Sequence, residues 1–400
     1  MRHFTPLIQL IAISLAAHVA LAGARVTTAL YALSLDASEF TIGTLIALFA
    51  LFPMILAVPM GRLLDRIGIK KPMMFGCLAV AIGCAIPSVA AGLPVLYLAV
   101  ILIGTGFMAI HIGSQHAVGA MSSMETRAAN FSWLSLGFSI SSFCGPVITG
   151  FVIDRTRFAF AYAVCCGFAV LALGLLACSN LNRIKLLRSG SQKKSGQREC
   201  TANATAGSPL ELLRDPDMRR IYVVGILLAT AWDLFTFVTP IQGSKLGFSA
   251  STIGLILGAF SAATFTVRLA MPWISHRYTE WQVLTVALAF AVISYALFPF
   301  MEQPFSLMAV AALLGLALGS SQPNVLALLH HAAPAGRGAE AIGIRATISN
   351  ASQVILPLAF GAAGATLGLF TVFWGAGAMI GAGVPIAWRK AFVKRRGKTI

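Results

Sequence analysis

Charge is what this 400-residue chain has least of: Asp, Glu, Lys and Arg together make up 10% of it, where a soluble domain carries about 25%. Acid is the scarcer sign, with 13 Asp and Glu against 29 Lys and Arg. Beside 58% apolar residues, so little polar surface cannot cover a 400-residue fold in water, and lipid is the solvent that remains. The chain also lacks a Walker loop, an H-E-x-x-H helix and any cluster of catalytic carboxylates, so nothing points to an enzyme or to a bound cofactor. Cysteine is sparse, odd in number at seven and without metal-type spacing. No disulfide framework or metal site is implied. Cys77, Cys84, Cys144, Cys165, Cys166 and Cys178 lie in apolar stretches as small hydrophobes, and Cys200 lies in a polar one.

What is present is long apolar runs. A bilayer core of roughly 30 Å takes about 20 apolar residues per helix, and the chain holds twelve such stretches. They run near 6–34, 40–60, 72–92, 94–119, 131–153 and 158–180, then 219–243, 250–271, 281–300, 305–330, 341–365 and 369–388. The expected fold is an all-α membrane protein of twelve transmembrane helices in two pseudo-symmetric six-helix bundles. Its parts are a first bundle over 1–180, a linker over 181–218, a second bundle over 219–388 and a basic tail over 389–400. Ser, Gly, Lys and Gln dominate 189–207, as in a solvated tether. Ser208-Pro209-Leu210-Glu211 reads as a capping box with Pro at the first helical position, which predicts a short amphipathic helix closing the linker.

The formal charge of +16 is distributed as topology requires rather than as nucleic acid would. On this helix assignment 23 of the 29 Lys and Arg fall on one side: the N-terminus, 61–71, Arg127, 183–220, Arg277, Arg337 and 389–398. Arg155, Arg157 and Lys245 fall on the other, and Arg25, Arg268 and Arg345 lie within helices. The positive-inside rule then makes both termini cytoplasmic. Arg2, the run from Leu7 and Ala20-Leu21-Ala22-Gly23-Ala24 imitate a cleaved signal peptide. The segment nevertheless has a counterpart at 221–243, and is expected to be an uncleaved first helix. Short loops and an Ala- and Gly-rich composition suit a bacterial inner membrane.

That counterpart belongs to an internal duplication. At a constant offset of 211, Thr41-Ile42-Gly43 recurs as Thr252-Ile253-Gly254, Leu35 as Leu246, Ser38 as Ser249, Phe49 as Phe260 and Arg66 as Arg277. Gly104 recurs as Gly315, and Pro146 and Gly150 as Pro357 and Gly361. Duplicated halves in so apolar a chain point to a transporter with its site between them.

Gly61-Arg62-Leu63-Leu64-Asp65-Arg66-Ile67-Gly68-Ile69-Lys70-Lys71 stands between the second and third helices. It resembles the signature loop of the major facilitator superfamily, G-x-x-x-D-R-x-G-x-[RK]-[RK], and the helix count and long central linker extend the resemblance over essentially the whole chain. Gly61 suits close approach of a neighbouring helix, and Asp65 can face a helix dipole or an Arg. The resemblance implies a conformational latch built on Gly61, Asp65, Arg66 and Gly68; the other reading is that the basic residues only set topology. The second copy is degraded, with Pro272 at the Gly61 position and His276 at that of Asp65. The fifth helix carries Ser132, Ser141, Gly145, Pro146, Thr149 and Gly150, which resembles the family's antiporter motif ending in G-P-x-x-G-G, with Ser and Thr replacing glycines. Export by antiport is one implication; close helix packing and a bend, shared with Pro357 and Gly361, is the other.

Polar groups inside the spans are costly to hold there and mark function. Asp233 is the carboxylate well inside a helix, and Arg25 is at similar depth on the symmetry-related first helix, so the two are candidates for an ion pair or for joint substrate binding. A purely structural pair is the alternative. His111 and Gln115 of the fourth helix, Gln322 and Asn324 of the tenth, and Arg345 with Asn350 and Gln353 of the eleventh are further candidates. For His111, proton binding stands beside the reading of a satisfied interior histidine. His18 is a weaker candidate at mid-depth, Trp232 could stack on a ligand or pack, and Arg268 is expected to snorkel.

The chain is thus read as a monomeric secondary transporter working by alternating access. It would move a small organic solute, with protons as coupling ion, by export. Uptake of an organic anion or metabolite by symport is the alternative, and a transporter-like membrane sensor a third.

Overall fold

The computed structural model describes residues 6–122, 126–179, 209–334 and 338–392. The stretch 180–208, the tail 393–400 and the side chains of Asp65 and His330, on which several expectations fall, lie outside the described residues. Among the described residues all regular structure is helical. The helices are α1 Pro6–Ser34, α2 Glu39–Ile67, α3 Lys70–Val89, α4 Leu93–Met121, α5 Arg127–Arg155 and α6 Phe158–Ala177, then the short α7 Pro209–Arg214. There follow α8 Pro216–Lys245, α9 Ala250–Arg277, α10 Glu280–Leu297, α11 Pro304–Gly319, α12 Ser321–Ala332, α13 Gly338–Leu367, α14 Leu369–Gly381 and α15 Val384–Phe392.

Among the described residues, twelve spans are long and apolar enough to cross a membrane, with α11 and α12 forming one and α14 and α15 another. The sequence predicted both as unbroken helices. In the structure the tenth breaks at Ser320, whose hydroxyl turns back to the Ala317 carbonyl at 2.9 Å, and the twelfth at Ala382–Gly383. Elsewhere local chemistry ends the helices. Ser38 caps α2 by accepting from the Thr41 N–H at 3.2 Å, and Thr279 and Gln282 form a reciprocal capping box on α10. Gly68 closes α2 at φ +86, a backbone angle that side chains disfavour.

The outside of the helices is what a soluble protein would bury. Phe75, Trp133, Phe160, Phe305 and Ile355 are all more than half exposed. Such a surface is stable only against hydrocarbon, where the helix satisfies its own backbone groups. The chain is a multi-pass membrane protein.

The helices divide into two compact units. The first holds α1–α6 together with the segment Gly243–Gly258, and the second holds the rest of α8 and α9 with α7 and α10–α15. Within the first unit that segment is held by charge and by shape. Asp154 of α5 accepts from the backbone N–H groups of Ala250 and Ser251, both at 2.8 Å, placing a carboxylate on the N-terminus of α9. Lys245 pairs with Glu39, and Gly254 lies where an added Cβ would strike the Pro146 carbonyl.

The duplication is built into the packing of each unit. A Cβ on Gly104 would meet the backbone of Phe49, and one on Gly315 the backbone of Phe260, the same contact 211 residues apart. In each unit the glycine lets two helix backbones touch.

Candidate functional site

Inside the first unit, polar side chains meet in pairs across helices. Ser14 of α1 and Ser114 of α4 lie 2.7 Å apart, and Thr28 of α1 bonds the Tyr162 hydroxyl of α6 at 2.7 Å. Between these levels, His18 Nδ1 lies 2.6 Å from the Ser141 hydroxyl of α5. The His18 ring packs against Phe107 of α4 and Phe138 of α5, with centroids at 5.3 and 5.1 Å. His111, one turn beyond Phe107 on α4, shares both walls, at 5.7 Å from Phe107 and 5.1 Å from Phe138. Its Nε2 lies 2.8 Å from the Gln115 amide nitrogen, and its Nδ1 is buried without a hydrogen-bond partner. The structure therefore joins His111 to Gln115 and adds His18, Ser141, Phe107 and Phe138. Phe107 was legible as the i−4 neighbour of His111; Phe138 and Ser141 sit on a different helix, and no local pattern links them to either histidine.

Arg25, farther along α1 and half-buried, holds its guanidinium carbon 6.0 Å from the centre of the Phe49 ring of α2. In the second unit Asp233 is 8% exposed on α8. A second grouping forms around Trp232: Phe260 meets it edge-on at 4.7 Å, and the Arg268 guanidinium lies over it at 5.9 Å. Arg268 also donates to Gln322 Oε1 at 3.4 Å. Arg268, expected to snorkel, lies along the face it shares with Trp232 and Gln322, where an indole to stack on and an amide acceptor are both in reach. Asn324 is buried and donates to its own helix at the Ser320 carbonyl, 2.6 Å away. Arg345 is half-buried, with its Nε shielded and without a hydrogen-bond partner. Among the described residues no group of three or more His, Cys, Asp or Glu could hold a metal ion.

The signature loop can be followed residue by residue. An added Cβ on Gly61 would meet nothing within 4 Å. Arg66 is exposed, while Lys70 reaches the end of α6 and donates to the carbonyls of Ala177 and Ser179, both at 2.9 Å. A cation there neutralises the negative end of the helix. Close approach belongs to the fifth helix: a Cβ on Gly145 would lie 2.8 Å from the Ala22 Cβ and the Gly23 nitrogen of α1. One on Gly150 would strike the Ala250 carbonyl. α5 runs unbroken through Pro146, and α13 through Pro357, with Gly361 buried one turn on.

Known proteins share this architecture. A family model described as Major Facilitator Superfamily matches residues 10–357 and 221–399. The chain is 26% identical over 339 residues to the tetracycline resistance protein, class G, of Vibrio anguillarum, covering 80% of this chain and 79% of that one. It is 25% identical over 334 residues to the class B protein of Escherichia coli, covering 80% and 77%. Its fold is similar to the crystal structure of a mutant of the peptide transporter POT, at a TM-score of 0.78 and 14% identity over 98% of this chain and 94% of that one.

Proposed function

The chain belongs to the Major Facilitator Superfamily and is a transporter of that family, and from this premise we propose that it exports a small amphiphilic solute in exchange for protons. The observation that carries the direction is the similarity, over 80% of the chain, to two tetracycline resistance proteins. The polar residues inside the two units support it, since ionisable groups held within spans mark solute and proton pathways. Coupling requires that the solute and the proton each bind the two conformations with different affinity. Arg25, Asp233, His111, Gln115, Gln322, Asn324 and Arg345 are the proposed solute and coupling residues. The loop containing Gly61, Asp65, Arg66 and Gly68 is the proposed latch, and an inner membrane with both termini in the cytoplasm is the proposed setting.

Everted membrane vesicles carrying the full chain, acidified inside by respiration, test this reading. Adding tetracycline, followed by a panel of amphiphilic compounds, is expected to release protons from the lumen beyond the release seen in vesicles without the protein. Asp233→Asn should remove that response if Asp233 takes part in coupling. Absence of proton movement across the whole panel would reject antiport. A solute that instead moves in the same direction as the protons would establish symport.

A further inference from the structure

We propose that His18 is the proton-binding residue of the transport cycle, accepting the proton at Nε2, with Ser141 setting its tautomer and His111 confining the histidine pair to a single charge. This rests on the proton coupling proposed above and names the group that performs it.

The tautomer follows from the hydrogen bonds. Ser141 Oγ lies 3.0 Å from the carbonyls of both Gly137 and Phe138. A hydroxyl has one proton, and we assign it to these backbone carbonyls. On that assignment Ser141 turns a lone pair to His18, and the 2.6 Å contact is donated by His18 Nδ1–H. Nε2 is then the basic nitrogen of the ring. A proton arriving there leaves the Ser141 bond intact, and the product is an imidazolium whose Nδ1–H is already placed. His111 is arranged the opposite way. The Gln115 amide donates to its Nε2, which puts the ring proton on the partnerless Nδ1. Protonating His111 at Nε2 would set donor against donor and lose that bond. Of the two imidazoles, His18 takes a proton without breaking anything.

Both rings pack on the same Phe107 and Phe138, so a charge on one imidazole opposes a charge on the other. The aromatic walls stand at the distance, within about 6 Å, at which a ring attracts a cation. The groups that act electrostatically on His18 are His111 from α4 and Arg25 from its own helix. From α5 it meets Ser141 and Phe138; the Cys165 thiol and the Tyr162 hydroxyl of α6 lie against Gly23 and Thr28, farther along α1. Cys77 and Cys84 of α3 are buried, α2 presents Phe49 to Arg25, and His116 lies five residues beyond His111 on α4.

The duplication separates this cluster from scaffold. At the offset of 211, His18, Phe107, His111, Phe138 and Ser141 correspond to Ala229, Leu318, Gln322, Ser349 and Ser352. Ser352 keeps the turn-back bond of Ser141, to the Ile348 carbonyl at 3.0 Å, yet none of the five ionises near neutrality. The second half folds without the histidines and the rings, so they are not required to build a bundle of this kind.

Full-length protein labelled with ¹⁵N-histidine and reconstituted in lipid nanodiscs tests the assignment without any solute. The His18 ring signal, assigned by its disturbance in Ser141→Ala, should show the Nδ1–H tautomer at high pH and convert to the doubly protonated ring as the buffer is acidified from about pH 8 to about pH 4. Ser141→Ala should turn that single tautomer into a mixture. In everted vesicles, His18→Asn and His18→Gln should each lose tetracycline-evoked proton release at wild-type protein levels. A His18 signal that stays neutral across the range, or coupling that survives both substitutions, overturns the proposal. If His18 titrates as expected but the wild type moves no protons with any solute, the antiport reading falls and the proton site stands.

Discussion

The two units solve the same packing problem with different chemistry. In the first, Ser14 meets Ser114 across α1 and α4. At the corresponding place in the second, a Cβ on Gly225 would lie 3.1 Å from Val325, 211 residues from each serine. Likewise Thr28 bonds Tyr162, whereas the residue matching Tyr162 is Phe373, which stacks on Phe298 at 5.3 Å. Among the described residues, four buried cross-helix bonds of the second unit run from side chains to backbone carbonyls. Tyr222 donates to Ala341 at 3.2 Å, Gln242 to Phe298 at 3.2 Å and Thr264 to Gly315 at 3.2 Å, and Tyr295 donates to Ala231. A carbonyl accepts from whatever donor reaches it. A pair of hydroxyls can exchange donor and acceptor roles, and an imidazole can take up a proton. Side-chain pairs of this kind thus stand where α1 meets α4, α5 and α6.

The part of this comparison most easily broken is the shared frame. Gly104→Val and Gly315→Val each drive a branched side chain into a helix backbone, and both should destabilise by about 3 kcal/mol or more. Recovery of monodisperse protein and its melting temperature would read this out. Tolerance at one glycine and not the other would show that the duplicated contact is not equivalent. A smaller effect sharpens the difference between the halves. Ser114→Val leaves Ser14 facing a methyl group and should cost about 1–2 kcal/mol. Adding Ser14→Gly recreates the Gly225–Val325 pair and should return much of that loss, a coupling visible in a double-mutant cycle. Full additivity would mean that the two serines act independently. The smallest effect belongs to the exposed ends. Lys390 and Arg220 both bond Asp217, at 2.6 and 2.7 Å, but the aspartate is about half exposed. Lys390→Gln should therefore shift stability by less than about 0.5 kcal/mol, and less still in high salt.

Much of the frame was legible in the residues. Twelve spans follow from apolar length, and the offset of 211 foretold that Gly104 and Gly315 would do the same work. The signature motif located the loop before α3, and the structure adds what its residues touch. Gly61, read as a point of close helix approach, has open space around it, and Gly145 of α5 makes the close contact with α1. Lys70, read only as a topological charge, holds the end of α6. Arg268 could not be placed because its two companions, Trp232 and Gln322, lie 36 and 54 residues away. His18 ranked only as a weaker candidate because Ser141, its hydrogen-bond partner, is 123 residues distant.

The sequence by itself determined the solvent, the number of spans, the family and the twofold repetition, because each is a property of composition and spacing along one dimension. Apolar length must match hydrocarbon thickness whatever the neighbours are. Only the tertiary structure decided which way each helix is turned about its axis. That rotation is set by the glycine contacts and aromatic packing of residues far apart in the chain. It brought two histidines onto the same pair of phenylalanines in one unit, and left alanine, leucine, glutamine and serine at the matching positions in the other.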